Sequence, residues 1–192
     1  MSCETGCLTC ECLRDAALEI VGQEGMEALS QERLASKVGV SASEVSEHYR
    51  TAADCLYDTY DRVVANVLRD LRESFAQGDD WQTGFELSRR RLLEGMSARP
   101  AEAWLCFVET TRGDRELRRR REMTRRSIVE FLTREYERRN WDDPLPPIQL
   151  EMLIGAGFQV ISTAILEGDV VDLVDLEAQL EQVQGCFIPA RV

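Results

Sequence analysis

Apolar residues recur along most of this chain at three- and four-residue intervals, the signature of helices with one buried face. No stretch alternates convincingly as a strand. Leu13, Ala16, Ala17, Ile20 and Val21 make the first stripe, which ends at Gly25. Ser30 opens a short second helix carrying Leu34, Ala35 and Val38, stopped by Gly39. Ser41 with Glu44 three residues on reads as a capping box, so a third short helix is expected from Ala42 to about Tyr49. A longer helix follows, with Leu56, Tyr60, Val63, Val67, Leu71 and Phe75 inward, broken at Gly78-Asp79-Asp80. Further helices are expected over 81–96, 101–111, 114–139, 148–167 and 171–186, with a proline-containing loop at 142–147. In the last helix Leu173, Leu176, Leu180 and Val183 are spaced three, four and three, a heptad seam.

The expectation is an all-α protein of about nine helices. It divides into a Cys-rich tail (1–12), a three-helix head containing a helix-turn-helix (13–55) and a larger helical body (56–192). At 192 residues the chain can bury a proper core, and 44% hydrophobic with 30% charged residues is too apolar for disorder.

Charge complicates the head. Between residues 14 and 62 five bases (Arg14, Arg33, Lys37, Arg50, Arg62) face ten carboxylates. The whole chain carries −12, which argues against broad affinity for nucleic acid or anionic membrane. Arg118 to Arg121 form a run of four, but four consecutive residues wrap all round a helix and make no flat basic face. Glu116, Glu122 and Glu130 are spaced to pair with arginines three or four residues on. The run reads as a solvated or interdomain face, with an anion site as the alternative.

The N-terminal cysteines Cys3, Cys7, Cys10 and Cys12 could hold zinc or an iron–sulfur cluster, or form a tail of reduced thiols. Without a visible secretory signal, thiols or metal ligands are expected in preference to disulfides. Met152 to Leu166 is the most apolar window, yet it contains Gln159, Ser162 and Thr163 and is short for a membrane span. A cytoplasmic protein without a membrane partner is expected. His48 is the only histidine, and there is no nucleophile motif, phosphate loop or recognisable acid pair, so neither catalysis nor a cofactor is expected.

The runs Ala16-Ala17-Leu18-Glu19, Gly25 to Ser30, Leu34 to Ser41 and His48-Tyr49-Arg50 resemble the N-terminal domain of the tetracycline-repressor (TetR) family. The resemblance covers roughly residues 12 to 62. It implies a homodimeric regulator, in practice a repressor, that reads operator DNA and is released when a small apolar or amphipathic effector enters the larger domain. The residues it assigns to DNA are Ser30, Arg33, Lys37, Ser41, Ser43, Glu44, Ser46, Glu47, His48, Tyr49 and Arg50. The sequence departs from the family pattern at Ala42, at Ser46 where a phosphate-binding tyrosine is usual, and at Ala52 and Ala53. A sensor with a degenerate head that has left DNA, possibly a thiol or metal switch, is the alternative. For the effector, Trp104, Phe107, Val108, Thr111, Met123, Ser127, Phe131, Phe158, Ile161, Ser162 and Ile165 could line an apolar cavity, or simply a core. Gly155 and Gly157, with the heptad of Leu173, Leu176, Leu180 and Val183, are the expected dimer face.

Overall fold

A computed structural model describes residues 8–139, 145–168 and 172–188, and all its regular structure is helical. In chain order the helices are α1 (Leu8–Glu24), α2 (Gln31–Val38), α3 (Ala42–His48), α4 (Ala52–Gln77) and α5 (Trp81–Ala98). Next come α6 (100–112), α7 (Arg115–Arg139), α8 (Pro147–Glu167) and α9 (Glu177–Phe187), the last entered through a 3-10 turn at Leu173–Leu176. The first helix starts five residues earlier than the apolar stripe suggests, so Cys10 and Cys12 belong to α1 and not to a separate tail.

Local chemistry sets the head's boundaries. Ser30 accepts from the Arg33 N–H and opens α2; Gly39, at φ 78°, closes it in the left-handed region that favours glycine. Ser41 and Glu44 form the reciprocal box that starts α3. Thr51 and Asp54 do the same for α4. Between these caps Leu13, Ile20, Leu34, Val45 and Tyr49 bury a small core of their own. Each fully buried leucine in it contributes about 1.5–3 kcal/mol.

The body is a bundle with two further cores. One gathers Val63, Leu93, Met96, Phe107, Ile161, Leu176 and Leu180. The other stacks Phe75, Trp81, Leu132, Tyr136 and Leu150, with Trp81 donating to the Leu132 carbonyl at 3.2 Å. Head and body are not separate beads, because α4 runs unbroken through residue 55. A fourth cluster joins Val21 of α1 to Leu56 and Tyr60 of α4, Leu105 of α6 and Leu117 of α7. At that junction α1 lies very close to α6: a Cβ on Gly22 would sit 3.0 Å from that of Ala101.

Helix α6 contains an irregularity that its sequence does not announce. Leu105–Glu109 is a π-helical turn between Pro100–Trp104 and Thr110–Arg112. A π turn widens the helix by one residue per turn and frees carbonyls from the regular ladder. Hydroxyls take them here: Thr110 donates to Cys106 O (2.7 Å), Thr111 to Val108 O (2.6 Å) and Ser162 of α8 to Phe107 O (3.0 Å). Buried Glu109 accepts from the Trp104 indole at 2.9 Å.

Helix α8 is, among the described residues, the one helix long and apolar enough to cross a membrane by length and composition. Leu150, Leu153, Ile161 and Ala164 pack inward, while Ile148, Met152 and Leu166 remain exposed on its other side.

Candidate functional site

Two places in the molecule could carry function, the head and a cavity in the body. The head places the expected DNA residues unevenly. Ser43, Ser46, Glu47 and Arg50 are exposed on or just after α3, and Arg33 and Lys37 on α2. Tyr49 is buried instead. Its hydroxyl donates to Asp58 at 2.6 Å and accepts from Arg14 at 3.3 Å, so it ties α3 to α1 and α4 and is not a surface contact. Burial and the Asp58 carboxylate raise its pKa above the ordinary phenol range. His48 directs Nδ1 to within 3.3 Å of Cys10 Sγ. Ser30 and Ser41 are caps.

Glu44, expected both as the partner of Ser41 in a capping box and as a DNA contact, is engaged as the cap. Its carboxylate accepts the Ser41 N–H at 2.8 Å and the Ser41 hydroxyl at 2.7 Å, bonds that hold its pKa below the usual carboxylate range. Ser46 donates to the Ala42 carbonyl at 2.9 Å. Gln31, which carries no motif signal, donates to both Tyr49 O (3.1 Å) and Arg50 O (3.2 Å) and pins the end of α3.

Every base of the head is matched by a carboxylate. Arg14 meets Asp58 at 2.9 Å, Arg50 meets Asp54 at 3.7 Å and Arg62 meets Glu11 at 3.6 Å. Arg33 pairs with Glu24 and Lys37 with Glu19. The last two pairs are solvent-exposed, and such pairs are worth about 1 kcal/mol or less. A phosphate can therefore compete for them.

The N-terminal cysteines are only partly visible, since Cys3 and Cys7 lie outside the described residues. Cys12 is an exposed thiol. Cys10 is fully buried in the head core and disulfide-bonded, which corrects the expectation of a reduced thiol or metal ligand at that position. Among the described residues no three His, Cys, Asp or Glu side chains cluster as a metal site.

The cavity measures about 230 Å³, just below the roughly 300–1,000 Å³ usual for ligand pockets. Tyr60, Val64, Val67 and Leu71 of α4 form one wall, with Leu92 and Met96 of α5, Ile128 and Leu132 of α7, and Leu153 and Phe158 of α8 around it. Of the residues expected there, Phe107, Phe158 and Ile161 do line it; the two phenylalanine rings lie 5.2 Å apart. The other eight do not. Thr111 and Ser162 are used on the π turn's carbonyls, and Trp104 on Glu109. Val108 is in the core, while Phe131 packs edge-on to Phe75 at 5.4 Å. Ile165 packs on the core, and Met123 and Ser127 face solvent. Cys106, also on the cavity wall, has its thiol pushed up to about 12 by burial and is a neutral side chain.

The expected dimer seam also turns inward. Leu173, Leu176 and Leu180 are buried in the chain's own core, and a Cβ on Gly157 would meet Leu180 at 3.8 Å. Val183 is partly buried against the second body core. Heptad spacing specifies a stripe; it does not specify whether the stripe faces a partner or its own subunit. Gly155 does lie on the exposed side of α8.

None of the known protein-family models and none of the curated proteins matches this sequence. Solved structures do match its shape. The fatty acid degradation regulator FadR from Bacillus halodurans superposes with a TM-score of 0.84 at 14% identity, over 98% of this chain and 100% of that one. The regulator FadR from Bacillus subtilis in complex with stearoyl-CoA gives 0.79 at 13%, over 94% and 99%. A TetR-family transcriptional regulator from Bordetella parapertussis gives 0.71 at 13%, over 95% of each chain. The chain has the all-α fold of the TetR-type transcriptional regulators, from its capped head to its last helix.

Proposed function

We propose that this protein is a ligand-controlled, TetR-type transcriptional regulator, a cytoplasmic repressor that binds operator DNA as a homodimer and is released by a small apolar or amphipathic effector. One observation carries the reading. Helix α4 both supports the head, through Cys55 and the Thr51–Asp54 cap, and walls the cavity, through Tyr60, Val64, Val67 and Leu71. Whatever fills the cavity presses on the element that carries the head, the arrangement needed for a population shift between two head positions. The neighbour solved with stearoyl-CoA supports an effector with a long apolar part. An exposed apolar stripe on α8 (Ile148, Met152, Gly155 and Leu166) supports a second copy as partner.

A gel shift of the full chain on its own upstream region, and on a selected random pool, at several salt concentrations tests the reading. The expected result is a specific complex that weakens as salt rises. No shift on either DNA overturns it.

The self-paired bases of the head favour one rival, a sensor or interaction protein that keeps the fold but has left DNA. That rival expects ligand binding without any shift. A thiol switch at Cys10 is a variant of it, and it requires a reductant to change ligand or DNA affinity.

A further inference from the structure

Among the described residues five arginines line the cavity, and four of them meet a carboxylate within 4.0 Å. Arg89 reaches Gln184 at 2.5 Å and lies 4.0 Å from Glu177. Arg91 meets Glu73 at 3.4 Å, and Arg99 meets Glu102 at 2.7 Å. Arg125 holds Glu122 at 2.8 Å and Glu151 at 3.4 Å.

Arg121 is different. Among the described residues no carboxylate lies within ion-pair distance and no oxygen accepts from it; its guanidinium sits over the Phe158 ring, 3.9 Å from the centroid. Loss of water lowers its pKa from the ordinary value. A ring face offsets part of that desolvation but leaves the five in-plane N–H donors unused. A half-buried cation held over an apolar wall, with its donors open, is what a site for an acidic oxygen group requires.

The surroundings fit such a group. Tyr60 and Thr124, their hydroxyls 3.2 Å apart, line the same cavity. Tyr60 donates to Thr124, and Thr124 donates to the Arg120 carbonyl at 3.0 Å, so this pair is a neutral, satisfied polar edge that leaves Arg121 as the donor on this wall. Phe158 leads to Phe107 and on to the aliphatic walls. Asp70, the one carboxylate on the lining among the described residues, has its own base in Arg69 at 3.9 Å.

We propose that Arg121 anchors the acidic headgroup of a single-chain amphipath whose apolar tail fills the cavity. The inference rests on the reading of this cavity as the effector site. It also assigns a role to the arginine run on α7: of its four members only Arg121 lines the cavity.

Calorimetric titration of the full chain with laurate, lauryl phosphate and lauryl alcohol tests it, because the three share a tail and differ in head. The expected result is that at least one anion binds about tenfold or more tightly than the alcohol, a difference of about 1.4 kcal/mol. R121Q should bring the anion down to the alcohol's level and leave the alcohol unchanged, while R121K retains most of the preference. A melting curve without ligand checks that both variants fold. Whichever anion binds more tightly tells a carboxylate head from a phosphate. Equal affinity for all three, a preference that survives R121Q, or no binding at all overturns the proposal. A chain that shows the Arg121-dependent preference but shifts no DNA keeps this anchor and loses the regulator reading.

Discussion

Several side chains act through what they are bonded to more than through where they point. Tyr49 caps the end of a helix expected to read DNA, yet its hydroxyl closes a buried link with Asp58 and Arg14. Tyr49→Phe should cost about 1.5–3 kcal/mol in urea unfolding, the range for a hydrogen bond to a charged group; an unchanged midpoint would show the link to be idle. Glu122 makes a pH-dependent contribution. Bonds from Arg125 and Arg126 lower its pKa from 4.5 to about 2. A depressed carboxylate stabilises the fold above its unfolded value and loses that contribution as pH falls through the folded one. The stability gap between wild type and E122Q should therefore be full above about pH 5 and close between roughly 4.5 and 2; a gap that widens on acidification would contradict the assignment. The caps at Ser30, Ser41 and Glu44 were legible from spacing, because a cap is a local bond. The pairing of Arg33 with Glu24 was not, since nothing in one sequence says which of many carboxylates a base will meet.

At the level of elements, periodicity located nearly every helix but missed the π turn of α6. One extra residue in a turn leaves the apolar spacing of a 13-residue helix almost unchanged. That omission misassigned Thr111 and Ser162, whose hydroxyls serve the turn's carbonyls and not a ligand. The same limit hid Arg121, because in a run of four arginines every direction is occupied and only packing decides which one is inside. Helix α6 is also where the head leans on the body, through Gly22 against Ala101. In an ordinary helix interior Gly→Ala gains up to about 1 kcal/mol. At Gly22 the added methyl would press on Ala101 at 3.0 Å, so we expect that gain to vanish and Gly22→Val to lower the melting temperature by several degrees. A melting temperature raised by Gly22→Ala would show that α1 and α6 are free to separate.

For the whole molecule, the open side of α8 and the self-neutralised head are the features with the widest reach. Met152 is 51% exposed, so Met152→Asp should leave the subunit's melting nearly unchanged while giving a monomer in sedimentation at micromolar concentration. A wild type that already sediments as a monomer would count against the dimer. Glu19→Gln with Glu24→Gln should free Lys37 and Arg33 and raise DNA affinity about tenfold at low salt, read by fluorescence anisotropy. No gain would mean that the internal pairs do not mask the head. Pairing of this kind also bears on how a target is found. A protein that holds bulk DNA only weakly spends little time sliding along it and reaches its site chiefly by free diffusion. On the regulator reading it is then not sequestered by the excess of irrelevant sequence in a chromosome, and most of its copies stay free to meet an effector.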